Sequence, residues 1–328
     1  MIRSILSDDY TYVRIVCLLL ALIAGAPTKA AEVDSTLPGY QPVTGLSGKL
    51  VSMGSDTLNN LMTFWSEDFA AAQPGTQLEI RGKGATTALQ GLMDGSDLGP
   101  MTRAMNEQQL TSLTAKFGCP PTGIKVAIDA LAVYVHANNP VKSLSLTQVD
   151  NIFSSTCKRG GTAVATWGEI RSAELTGEWS TRPVSLFGRN AASGTYGLFK
   201  HVALMRGDFN PSLQELQGTS AIMKQIAENL GGIGYTGANY SIAGVRAVPL
   251  GDGDQPAVEP TYDHVKSGAY PLSRFIYVYI NKKTGVRNEL VNRFLTFVLS
   301  KAGQQIVIKD GYFPLDAALV SEQLKLLE

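Results

Sequence analysis

Gly188-Arg189-Asn190-Ala191-Ala192-Ser193-Gly194-Thr195-Tyr196-Gly197 is the turn of a strand–turn–helix unit. Upstream, Pro183-Val184-Ser185-Leu186-Phe187 is an alternating apolar run that suits a buried strand. Downstream, Leu198, Phe199, Val202, Leu204 and Met205 recur at helical spacing. Ser193 or Thr195 makes a good N-cap, and the unpaired N–H groups of the next turn, with the positive end of the helix dipole, face whatever lies there. An oxyanion fits such a place. Arg189 adds a planar fork of donors that grips two oxygens of a tetrahedral anion. The plainer alternative is a capped helix after a glycine turn, with Arg189 in solvent.

The same unit recurs earlier. Gly48-Lys49-Leu50-Val51-Ser52-Met53 reads as a strand ending in Gly54-Ser55-Asp56-Thr57, and Leu58, Leu61, Met62, Trp65 and Phe69 then form one face of an amphipathic helix. Gln77 to Arg81 is a second strand. Gly82-Lys83-Gly84-Ala85-Thr86-Thr87 is a glycine–hydroxyl turn before the helical Ala88 to Met93; its Gly-Lys pair lacks the following Ser/Thr and the earlier glycine of a P-loop. A third loop, Asp97 to Arg103, leads into a helix from Asn106. Alternating strands and helices predict an α/β fold, and four such turns rich in Ser/Thr with Gly or Arg predict an anion cleft.

Around these units, Arg3 and Arg14 precede an uncharged run from Ile15 to Ala26 and small residues to Ala31, the pattern of a signal peptide over 1–30. Secretion places the chain in the periplasm or outside the cell. Cys119 and Cys157 remain, and an oxidising compartment favours their pairing, two buried free thiols being the alternative. With 28 basic and 28 acidic residues among 328, and no strongly basic stretch, nucleic acid is excluded as a partner. The length predicts two lobes.

Ile124 to Val135 is the most continuous apolar run after the signal region and holds one acid, Asp129, which must meet an arginine or accept a proton from a ligand. Leu144 to Phe153 is a helix opened by Ser145 or Thr147. Helix signals recur at 212–216 and 220–230, a short strand at 231–237, a strand at Arg274 to Ile280, and one long amphipathic helix from Asn288 to Ile308. Gly251-Asp252-Gly253-Asp254 lacks the later glutamate of a calcium loop and reads as a turn. His136, His201 and His264 are scattered, and no metal or nucleophile motif occurs, so neither an enzyme nor a cofactor is expected.

From Leu50 to Leu315 the chain resembles the periplasmic phosphate-binding proteins of the phosphate ABC importers, within the type II periplasmic binding protein fold. The resemblance is strongest at Arg189 to Thr195, similar to that family's Arg-x-x-x-Ser-Gly-Thr. It implies two lobes, each a mixed sheet flanked by helices, with the ligand in the cleft: residues 31–130 with 272–328, and 131–271. It implies phosphate contacts from Arg189, Ser193, Gly194 and Thr195, from Thr57 and Leu58 in the first loop, and from Thr86 in the second. Thr102 stands where the best-known members have an aspartate that takes the proton of hydrogen phosphate, which makes Asp129 the candidate acceptor. The partners implied are inorganic phosphate and a membrane permease, the chain itself being a monomer. The alternatives are another tetrahedral oxyanion (sulfate, molybdate or tungstate) and a secreted phosphatase on the same scaffold.

Overall fold

A computed structural model describes residues 32–82, 87–170, 175–191, 193–281 and 286–328. The expected signal peptide (1–30) and Thr86 lie outside them. The first half runs β1 (Gly48–Gly54), α1 (Asn59–Ala72), β2 (Thr76–Gly82), α2 (Thr87–Met93), β3 (Gly99–Met101), α3 (Glu107–Phe117), β4 (Thr122–His136), β5 (Leu144–Ser145) and α4 (Leu146–Phe153). The second runs β6 (Ser185–Arg189), α5 (Gly194–Val202), β7 (Gln214–Leu216), α6 (Thr219–Glu228), β8 (Gly232–Gly237), β9 (Val245–Ala247), β10 (Leu250–Gly251), α7 (Tyr262–Ser267), β11 (Ser273–Ile280), α8 (Val286–Leu299), α9 (Lys301–Lys309) and α10 (Ala317–Lys325).

The strands build a seven-stranded mixed sheet in the order β3-β11-β4-β8-β6-β7, with β9 also on β4, and two parallel pairs, β1-β2 and β5-β10. The organising strand is β4. Its apolar run is buried without interruption from Val126 to Val135, as expected of a strand covered on both faces. Up to Ala130 it pairs antiparallel with β11; from Leu131 it pairs with β8, and near its end with β9. The change of partner therefore falls between Ala130 and Leu131. Packed on the sheets are Trp65 and Met62 of α1, Phe294 and Leu295 of α8, and Phe153 and Phe199 of α4 and α5, all almost wholly buried. Among the described residues no helix is long and apolar enough to cross a membrane.

Helix starts follow local chemistry. Asn106 and Ser145 form full capping boxes with Gln109 and Gln148, and Asp316 caps α10 through the Leu319 amide. Three expectations are corrected. The helical pattern from 288 to 308 is two helices: Ser300 accepts the Gly303 amide and opens α9, and Gly303 fits under α8 where a Cβ would lie 2.3 Å from the carbonyl oxygens of Phe297 and Val298. The segment 212–216 is not helical but ends in the edge strand β7, where Gln214–Leu216 pairs with Phe187–Arg189. Cys119 and Cys157 are free thiols rather than a disulfide. Cys119 lies just ahead of β4 and Cys157 follows α4, which is reached from the other end of β4. Fifteen residues of strand at about 3.3 Å each separate those segments, whereas a disulfide needs Cα atoms within about 7 Å. Burial, then the charge of Asp150, pushes the Cys157 thiol above its usual range.

Candidate anion site

The loop between β6 and α5 forms the centre of a cavity of 350 Å³. At α5 the Ser193 Oγ accepts the amides of Thr195 at 3.1 Å and Tyr196 at 3.4 Å. The hydroxyl hydrogen is left to donate, and the first turn of α5 opens beside it. Arg189 ends β6. Its carbonyl accepts the Tyr235 hydroxyl at 3.3 Å, and the Tyr235 ring is itself stacked on Phe199 with centroids 3.8 Å apart, Phe209 lying alongside. The backbone carrying Arg189 is thus fixed from β8. Arg189 lines the cavity, and its Nε is buried with no hydrogen-bond partner among the described residues. A buried guanidinium nitrogen without an acceptor costs free energy. An anion in the cavity would remove that cost.

Thr57 faces this loop from the turn before α1. A Cβ on Gly194 would lie 2.2 Å from Thr57 Oγ1 and 2.3 Å from its Cγ2, so only glycine lets the two segments meet. The Tyr312 hydroxyl donates to the Thr57 carbonyl at 3.3 Å, which ties the segment after α9 to the same turn. Thr219, at the start of α6, shares a 2.8 Å hydroxyl–hydroxyl bond with Thr236 and lines the wall.

Two carboxyls share the cavity. Asp129, buried on β4, has its Oδ2 3.1 Å from Arg274 Nε and 3.0 Å from Nη2. Of the two fates open to it, meeting an arginine is the one realised, and it also lines the cavity. Asp310, at the end of α9, lines it too, and burial pushes its carboxyl up to about 6.

Of the residues expected from the sequence, Thr57, Asp129, Arg189, Ser193, Gly194 and Thr195 come together in this wall. Leu58 does not line it: its side chain is buried, and its amide donates to the Ser55 carbonyl at 3.2 Å. Thr102 is buried just past β3 and is likewise absent from the wall. None of the three histidines lines it, and among the described residues no group of three metal-ligating side chains occurs. Sequence reading missed Asn60, Thr219, Tyr240, Asp310 and Tyr312. Gly311, just after Asp310 and in left-handed backbone with φ of 88°, is an ordinary helix stop and does not mark that stretch as part of a site.

The family model of the PBP superfamily domain matches residues 30–302. The phosphate-binding protein PstS of Pseudomonas aeruginosa is 45% identical over 305 residues, covering 92% of this chain and 94% of that protein. A possible phosphate-binding protein from Planctomyces limnophilus has the same fold at a TM-score of 0.73 and 24% identity, covering 86% of this chain and 98% of that one. An ABC-type phosphate transport receptor from Vibrio cholerae superposes with a TM-score of 0.67 at 18% identity, covering 82% and 100%.

Proposed function

The chain belongs to the PBP superfamily, in the family of the PstS phosphate-binding proteins, and on that premise we propose that it binds inorganic phosphate for an ABC importer. The observation that carries the reading is Arg189 Nε, buried without a partner among the described residues in the wall of a hydroxyl-lined cavity at the start of α5. Phosphate completes that site: Arg189 supplies charge and two parallel donors, and Thr57, Ser193 and Thr195 supply hydroxyls. The α5 amides supply the helix-end field. No covalent step is involved.

The binding cycle we infer has two lobes, 31–130 with 272–328 and 131–271, bending where β4 changes partner and closing Thr57 onto Gly194 over the ligand. Secretion to the periplasm, a monomeric state and a membrane permease as recipient belong to the same reading. The direct test is equilibrium dialysis of protein unfolded, washed and refolded to strip carried-over ligand, with radiolabelled phosphate and unlabelled sulfate, molybdate or tungstate as competitors. One phosphate bound per chain, resistant to the other three, is expected. Displacement by any of them at equal concentration would reassign the ligand to that oxyanion.

A further inference from the structure

Among the described residues lining the anion cavity, Asn60 and Tyr240 are the exposed ones, and they therefore mark its mouth. Asn60 is short. Tyr240 is a large aromatic, 46% accessible, and so much apolar ring left in water forfeits hydrophobic stabilisation. Its place is nevertheless fixed. The Tyr134 hydroxyl, on buried β4, is shared between the Gly237 carbonyl at 3.0 Å and the Tyr240 carbonyl at 3.2 Å, which pins the main chain after β8. The ring lies over Gly237, where a Cβ would be 3.5 Å from its Cε2 and 3.6 Å from its Cδ2. Its hydroxyl reaches the segment after α9, where a Cβ on Gly311 would be 3.5 Å away. Gly237 and Gly311 both line the cavity. Tyr240 thus bridges two wall segments far apart in sequence, at the point where the cavity meets solvent.

We propose that Tyr240 makes this site selective for free orthophosphate over phosphate monoesters, its ring barring the opening through which an organic substituent would pass. The inference rests on the phosphate reading of the cavity. Orthophosphate has four bare oxygens and nothing that must remain outside. A monoester has three, and with those held by Arg189, the hydroxyls and the α5 amides, its carbon points to the mouth. Arg189 and the hydroxyls grip the phosphoryl group of either ligand, so they supply affinity without telling the two apart. A ring across the opening separates them by obstruction, which acts on the ester alone.

The test is calorimetric titration of the whole, ligand-stripped protein with orthophosphate and with methyl phosphate, for the wild type, Tyr240→Ala, Tyr240→Phe and Ile242→Ala. The wild type should prefer orthophosphate strongly. Tyr240→Ala should lose at least about tenfold of that preference, the scale on which a pocket wall discriminates against one added carbon, and should lose it by binding methyl phosphate more tightly. Tyr240→Phe keeps the ring and should reject the ester as the wild type does. Ile242 is an exposed apolar neighbour, 40% accessible and outside the cavity wall, so Ile242→Ala should change neither affinity. Equal wild-type affinity for the two ligands, or an unchanged preference in Tyr240→Ala, would overturn the inference while leaving phosphate binding intact. Loss of the preference in Tyr240→Phe or Ile242→Ala would overturn it too, by assigning the effect to the hydroxyl or to the loop rather than to the ring. Absence of phosphate binding by the wild type would overturn the functional reading as well.

Discussion

Gly194 and Thr57 are in contact because one of them has no side chain. Replacing Gly194 by alanine would drive a Cβ to within 2.2 Å of Thr57 Oγ1, and relieving it means moving either the turn before α1 or the start of α5. Overpacking of this kind costs about 1–3 kcal/mol, and here the cost falls on the arrangement that encloses the ligand. Gly194→Ala should therefore weaken phosphate binding by roughly ten- to a hundredfold, measured by titration calorimetry. Arg189 is the second decisive residue. Arg189→Ala removes the one cation that the described residues bring to the wall, a loss of about 2–5 kcal/mol, or at least thirtyfold in affinity. Arg189→Lys should recover only part of it, since an ammonium cannot present the paired donors of the guanidinium.

At the scale of elements, α5 carries the site, and its cap does two jobs. Ser193 Oγ takes two backbone amides and keeps a hydrogen for the cavity. Ser193→Ala should lower stability by about 1 kcal/mol in denaturant unfolding and also weaken phosphate binding. Ser193→Asp should restore the cap yet bind phosphate worse still, because it adds a negative charge. Ser300 has only the first job, so Ser300→Ala should cost about the same stability and leave binding unchanged.

The elements also show what the sequence makes legible. β4, β6, α1 and α5 follow from unbroken or periodic apolar patterns, and the Arg189–Thr195 loop is readable because its contacts are local in sequence. The break at Ser300 was hidden because one apolar face runs through both α8 and α9, and a serine in mid-pattern looks like any polar position. β7 was misread because an edge strand of three residues has too few positions for a period to declare itself. Asp310 and Tyr312 were unreadable as site residues for another reason. The C-terminal helices bring them to Thr57, some 250 positions away in sequence, and nothing local records that meeting.

At the scale of the molecule, β4 joins the two halves of the seven-stranded sheet, pairing with β11 up to Ala130 and with β8 from Leu131. If bending there opens the cavity, solution X-ray scattering should show a smaller radius of gyration with phosphate than without it, and Gly194→Ala should blunt the difference. The cavity also contributes to the pH dependence of the ligand-free protein. Asp310 is raised from 3.8 to about 6, so the folded form holds a proton that the unfolded chain has already released. The stability this contributes is fully present below the ordinary carboxyl range and is lost as pH rises through about 6. Thermal unfolding of Asp310→Asn across that window should lack this fall.

If the Arg189 cavity is a phosphate site, phosphate affinity must depend on that guanidinium. Calorimetric titration of ligand-stripped protein with phosphate, beside Arg189→Ala under the same conditions, tests it most directly. One site per chain is expected, bound tightly by the wild type and at least thirtyfold more weakly by the variant. Equal phosphate affinity in the two proteins, or no phosphate binding by a folded wild type, would contradict it.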